Sequence, residues 1–156
     1  ADLGPIDLSA GTFTRITSTP ASRAPSPGSG SGASSIPPFI ADDNRDATIT
    51  DNGQRIAFIS TRDLVPGGNT DANPEVFIFN RSTSAFTQVT TTTTTSLNNP
   101  IFSSNPSLSG DGSVLTFISN ANLTSNNDDG GGLSNAEIYV ANFNGTTVSG
   151  LRQAER

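Results

Sequence analysis

The sequence predicts an all-β chain built from repeated four-stranded meanders, and three observations carry that reading. Residues 51–60 return as residues 111–119: each copy is a tight turn (Asp51-Asn52-Gly53, Gly110-Asp111-Gly112) followed by a short apolar run (Ile56 to Ile59, Val114 to Ile118). Each copy is followed by a polar loop and a second apolar run, Val76 to Phe79 or Ile138 to Val140. No segment repeats its apolar residues at helical spacing, whereas self-similarity over a few tens of residues is the mark of a repeat architecture.

The elements follow in chain order. Residues 1–17 align without gaps to residues 74–90, with Asp2 on Glu75, Ile6 on Phe79, Phe13 on Phe86 and Ile16 on Val89. The chain is therefore expected to open on the second half of a unit. Gly4 and Pro5 stand where Phe77 and Ile78 stand later, which weakens this first strand because proline lacks a ladder donor. Residues 18–43 hold Pro20, Pro25, Pro27, Pro37 and Pro38 among Ser, Gly and Ala, a linker composition. Residues 44–90 form a full unit. Its strands are expected at 47–50, 56–59, 76–79 and 85–89, with hairpin turns at Asp51-Asn52-Gly53 and Ser82-Thr83-Ser84, whose residues tolerate the required backbone angles. Residues 91–102 are a Thr-rich linker, extended because β-branched side chains favour extended backbone. Residues 103–156 form the second full unit, with strands at 106–109, 114–118, 138–140 and 147–153.

Composition removes several functions. The 156 residues carry a net charge of −6, and all 8 cations are arginines, so there is no basic stripe to displace counterions from phosphates. Nucleic-acid binding and adhesion to an anionic membrane are not expected. No apolar run nears the roughly 20 residues needed to span a bilayer. With 0 Cys and 0 His, disulfides, thiolate chemistry, a Ser-His-Asp triad and a histidine zinc site are excluded. A start at Ala1 without an initiator methionine fits a processed protein or a segment of a longer one, and abundant Ser, Thr, Asn and Gly without Lys or Cys leans extracellular or periplasmic.

The apolar runs in the middle strands are unbroken, as in strands buried on both faces. One such sheet cannot stand in water, so sheets must stack on one another: stacking around an axis gives a β-propeller, and a solenoid-like open stack is the other solution but leaves two sticky ends. At residues 51–60 and 110–119 the chain resembles the S-P-D-G-x-x-I-A-F-x-S core of the WD40-like (PD40) repeats of TolB-type propellers. Asn73 to Asn80, Ala136 to Asn142 and Ala85 to Thr90 resemble that family's following strands, while its Pro is absent from both turns. The resemblance implies a bladed propeller used mostly as a binding platform, often in the periplasm or outside the cell. Two and a half blades fall short of a ring, so the remaining blades are expected from a longer chain, other chains or copies of this one, closing as a ring or running on as a filament.

A meander also sorts its connections. Calling the strands of a unit a to d, the short a–b and c–d turns share one end, and the long b–c loops (61–74, 120–136) and d–a linkers (18–43, 91–102) share the other. That polar, acidic end is the expected contact surface for protein partners, since binding residues concentrate on loops held by a rigid scaffold. The b–c loops also carry the oxygen ligands calcium uses: Asp63, Asn69, Asp71, Asn73 and Glu75, then Asn126, Asp128, Asp129, Asn135 and Glu137. Asp71, Glu75, Asp128 and Glu137 are the metal candidates, although no Asp-x-Asp-x-Asp-Gly loop with a distal Glu is present. Their alternative reading is structural: Asp and Asn as turn residues, and Glu75 and Glu137 as carboxylates bonding neighbouring backbone where strand c starts. No other cofactor is expected. The main expectation is a non-catalytic interaction or assembly module; the alternatives are a calcium-dependent carbohydrate- or matrix-binding module and an accessory propeller of a hydrolase. Asn80, Asn122 and Asn144 head N-glycosylation sequons that matter only in a secretory host.

Overall fold

A computed structural model describes residues 13–19, 44–94, 100–124 and 135–154. Eight strands run β1 (Asn44–Ile49), β2 (Arg55–Ser60), β3 (Glu75–Asn80), β4 (Ala85–Gln88), β5 (Ser103–Leu108), β6 (Val114–Ser119), β7 (Glu137–Phe143) and β8 (Val148–Gln153). They form two four-stranded antiparallel sheets in sequential order, β1-β2-β3-β4 and β5-β6-β7-β8. Both are the expected meanders, and no described residue is helical. Parts of the expected half-unit and of both linkers, with most of the second b–c loop, lie outside the described residues (1–12, 20–43, 95–99 and 125–134).

Strand a begins earlier than its apolar residues suggest. β1 and β5 each carry an irregularity, between Arg45 and Thr48 and between Ser104 and Ser107. Equivalent residues turn the corner in the left-handed region, Asp46 at φ 55° and Asn105 at φ 51°. Asp and Asn enter that region more readily than other side chains, so the repeated acid or amide is the sequence trace of a repeated bulge. The terminal serines of the apolar runs also recur in role. Ser60 Oγ accepts the Arg62 N–H at 3.0 Å and Ser119 Oγ accepts the Ala121 N–H at 3.1 Å, each steering the chain out of the sheet into its b–c loop.

The sheets stack face to face with a constant sense. Ala57, Ile59, Val76 and Ile78 form the back face of the first sheet and meet Leu115, Phe117, Tyr139 and Phe143 on the front face of the second. All four back-face residues are 0% exposed. Phe117 and Tyr139 stack at 5.7 Å, and the buried Tyr139 hydroxyl donates to the Ala121 carbonyl at 2.7 Å. The front face of the first sheet carries Phe58, Phe77 and Phe79, against which Ile16 packs. Ile16 thus stands to the first sheet as its sequence counterpart Val89 stands to the second, since Val89 joins the core between the sheets. Residues 13–19 nonetheless belong to neither sheet.

The short turns gather at one end, as the meander requires. Arg81 N–H bonds the Gln54 carbonyl at 2.9 Å, and Asp51 N–H bonds the Gly110 carbonyl of the other sheet at 2.9 Å. Arg55 stitches the sheets there: its Nη1 donates to the carbonyls of Asp111 (3.1 Å) and Gly112 (2.9 Å), while the guanidinium lies 5.3 Å from the centre of the Phe143 ring. Gly112 adopts φ 71°, and a Cβ there would come within 2.7 Å of Thr50 Cγ2 and 2.8 Å of Arg55 Cδ, so the stitch and the turn need glycine.

Candidate functional site

The opposite end of the first sheet holds the candidate site, built from the b–c loop and the chain leaving β4. Asp63 organises the loop. Its Oδ2 accepts the Gly67 N–H at 2.8 Å, and its Oδ1 accepts those of Gly68 (3.0 Å) and Asn69 (3.1 Å). These bonds, led by Gly67, hold its carboxyl below the usual 3.8. Asn69 closes the loop base, its Nδ2 donating to the carbonyls of Asn73 (2.8 Å) and Ser60 (3.5 Å). Asn73 Nδ2 reaches Thr92 Oγ1 at 3.3 Å.

Behind the loop lies a buried carboxylate. Glu75, 1% exposed, accepts the Thr90 hydroxyl on Oε2, and the Thr92 N–H and hydroxyl (2.7 Å) on Oε1. Thr90 Oγ1 in turn accepts the Val76 N–H at 2.9 Å. Burial pushes the Glu75 carboxyl above its ordinary 4.5; the three hydrogen bonds oppose this and the Asp71 charge adds to it. The network ties the start of strand c to the chain leaving strand d. Its partners come from residues 90–92, two hydroxyls and one backbone N–H, rather than from the backbone beside Glu75.

The other metal candidates sit apart from this network. Asp71 is exposed, and its Oδ1 lies 3.5 Å from the Asn73 backbone nitrogen. Glu137, the repeat partner of Glu75, is only half-buried and accepts Asn135 Nδ2 at 2.7 Å. Val89 and Ala154 occupy matching places, their N–H groups bonding the carbonyls of Val76 and Ile138. Asn126, Asp128 and Asp129 lie outside the described residues. Among the described residues no three acidic groups gather around a common point. The sequons at Asn80 and Asn144 are turn residues, each side-chain oxygen accepting the N–H two residues on at 3.0 Å. A cavity of about 620 Å³ opens between the b–c loop and residues 17–19, lined also by Phe86 of β4. The sequence did not signal it, because its two walls lie more than forty residues apart.

Two stacked four-stranded meanders, arranged with one sense, define the class: an all-β chain of propeller-type blades. No protein-family model matches the sequence, and no curated protein matches it. Among solved structures the chain is similar to TolB from Acinetobacter baumannii, at 20% identity and a TM-score of 0.41, over 71% of this chain. It spans 21% of that structure's length. Likeness at that level carries no argument about function, partners or location.

Proposed function

We propose that the chain is a non-catalytic protein–protein interaction and assembly module, part of a secreted or envelope protein made of propeller blades. The observation that supports it is the unequal burial of equivalent faces. Val76, Ile78, Ala57 and Ile59 on the back of the first sheet are sealed by the second sheet. Their repeat counterparts on the back of the second sheet are Ile138, Val140, Thr116 and Ile118. Ile138 is 53% exposed, and the other three are only partly buried. A contiguous apolar sheet face is a contact surface, and here the first sheet shows what covers such a face: another blade presenting leucine and aromatic side chains. Recognition of further protein partners falls to the long-loop end, where Asp63 and the Glu75 network hold the loops rigid.

The described carboxylates support the non-catalytic reading. Glu75 is buried beneath two threonines, Asp63 is saturated by backbone N–H groups, and Asp111 is held at about 2, first by the Ser109 hydroxyl and then by Ser113. None is presented as a paired acid and base. No helix among the described residues is long and apolar enough to cross a membrane.

Sedimentation velocity over a wide concentration range tests the reading. The expected result is concentration-dependent association of the wild-type chain, suppressed in Ile138→Lys. A compact monomer at every concentration overturns it.

A further inference from the structure

We propose that the front of β1 is the docking seat of a two-stranded β-hairpin with the chemistry of this repeat's own a–b half. The proposal rests on the assembly reading above but concerns the other end of the stack. The second sheet shows such a seat when filled. Its strand a, β5, lies against β1 and β2, the a–b hairpin of the first sheet. Under that cover Pro106 is buried, Leu108 packs onto the core and Leu115 is 0% exposed. The register gives these three residues counterparts in the first sheet: Ala47, Ile49 and Ile56. There Ala47 is exposed, Ile49 is 56% exposed and Ile56 is only half-buried. Equivalent apolar positions are thus covered in one sheet and open in the other, and a contiguous open apolar face is a contact surface.

The open part has the extent of a hairpin, not of a whole sheet. Toward strand c the front face is sealed: Phe77 is 0% exposed, and Ile16 and Leu64 pack onto its cluster. Ile16 is the sequence counterpart of Val89, which packs into the filled interface. What remains is a groove of about 580 Å³ lined by Thr14, Ile16, Ala47, Thr48, Ile49 and Ile56. Phe13 points to the same occupant. Its counterpart Phe86 meets the Phe58 ring of strand b at 6.1 Å, whereas Phe13 is 87% exposed and, among the described residues, belongs to no sheet with a strand b. By sequence residues 1–17 are the c–d half of a unit, so one a–b hairpin supplies both the cover for Ile49 and the ring for Phe13. The filled interface also states the recognition chemistry. Ala57 and Ile59 are the hairpin residues that join the core with Leu115 and Phe117, so a small and a branched apolar side chain on one face of the hairpin are what the seat takes.

The test is fluorescence anisotropy of a labelled synthetic peptide with the sequence of residues 44–60, titrated with the full chain below the concentration at which the chain associates with itself. Saturable binding is expected. Ile59→Asp in the peptide and Ile49→Asp in the chain each put a carboxylate into the apolar contact, and each should weaken binding by roughly tenfold or more. The peptide variant leaves the chain untouched, and the melting temperature checks the folding of the chain variant. Ile138→Lys, at the opposite end of the stack, should bind the parent peptide as the wild type does. Absence of saturable binding overturns the proposal. So does undiminished binding with either aspartate variant, or a loss of binding in Ile138→Lys, which places the hairpin on the back of the second sheet instead. A chain that stays monomeric in sedimentation yet binds the peptide in this pattern keeps the proposal and overturns only the assembly reading.

Discussion

Truncating one repeat position in each sheet gives a direct measure of whether the back of the second sheet is uncovered. Val76 and Ile138 are equivalent; the first is 0% exposed and the second 53%. Val76→Ala removes two carbons from a sealed interface, about 1.6 kcal/mol at ~0.8 kcal/mol per buried methylene. The cavity left behind raises this to about 2–3 kcal/mol. Ile138→Ala removes three carbons, worth about 2.4 kcal/mol if buried, but roughly half of that side chain already meets solvent, so the expected cost is about 1 kcal/mol. The larger truncation is thus the cheaper one in the dissociated chain. Urea denaturation of dilute protein reads both values. Circular dichroism follows the sheets, and the fluorescence of Tyr139, the sole tyrosine in a chain without tryptophan, follows the interface between them. At concentrations where the chain associates, the Ile138→Ala cost is expected to rise by about another 1 kcal/mol as the face is covered. Equal costs for the two variants in the dilute chain would falsify the argument, because the second back face would then already be sealed.

Three further outcomes are expected. Because burial raises the folded-state pKa of Glu75, its contribution is fully present below the ordinary 4.5 and is lost as pH rises through the raised value; denaturation midpoints across that window should flatten in Glu75→Gln, whose amide can donate to Thr90 Oγ1. Asp111 acts in the opposite sense, its contribution present above 3.8 and lost as pH falls through about 2, so Asp111→Ala should remove stability at neutral pH that the wild type loses only in strong acid. Arg55→Ala should cost about 1–2 kcal/mol by freeing two carbonyls and a ring contact, and thermal melts check this.

Much of the fold was legible because repetition is a strong signal. The paired turns, the paired apolar runs and the order a-b-c-d are written twice, and all eight strands lie where that pattern places them, within a few residues. The early starts of strand a have one cause. The bulges at Asp46 and Asn105 lengthen strand a through polar residues, which periodicity discounts, and only the recurrence of an acid or amide at one repeat position marked them. The candidate site was half legible. Its loop could be located from connection lengths, but Asp63 was grouped with metal ligands, whereas its carboxylate caps its own loop. Glu75 and Glu137 looked alike in sequence and differ in burial.

What the sequence alone determined is the unit: turn chemistry and alternation are local, so they can be read from neighbours along the chain. It also determined what the chain lacks, since residue types absent from 156 positions cannot be supplied by folding. Only the tertiary structure decided which face of each sheet is sealed, which carboxylate is buried, and that residues 17–19 close a cavity with residues 61–72. Those properties depend on contacts between residues tens of positions apart, and two similar stretches of sequence acquire different surroundings when the described chain covers one sheet on both faces and the other on one.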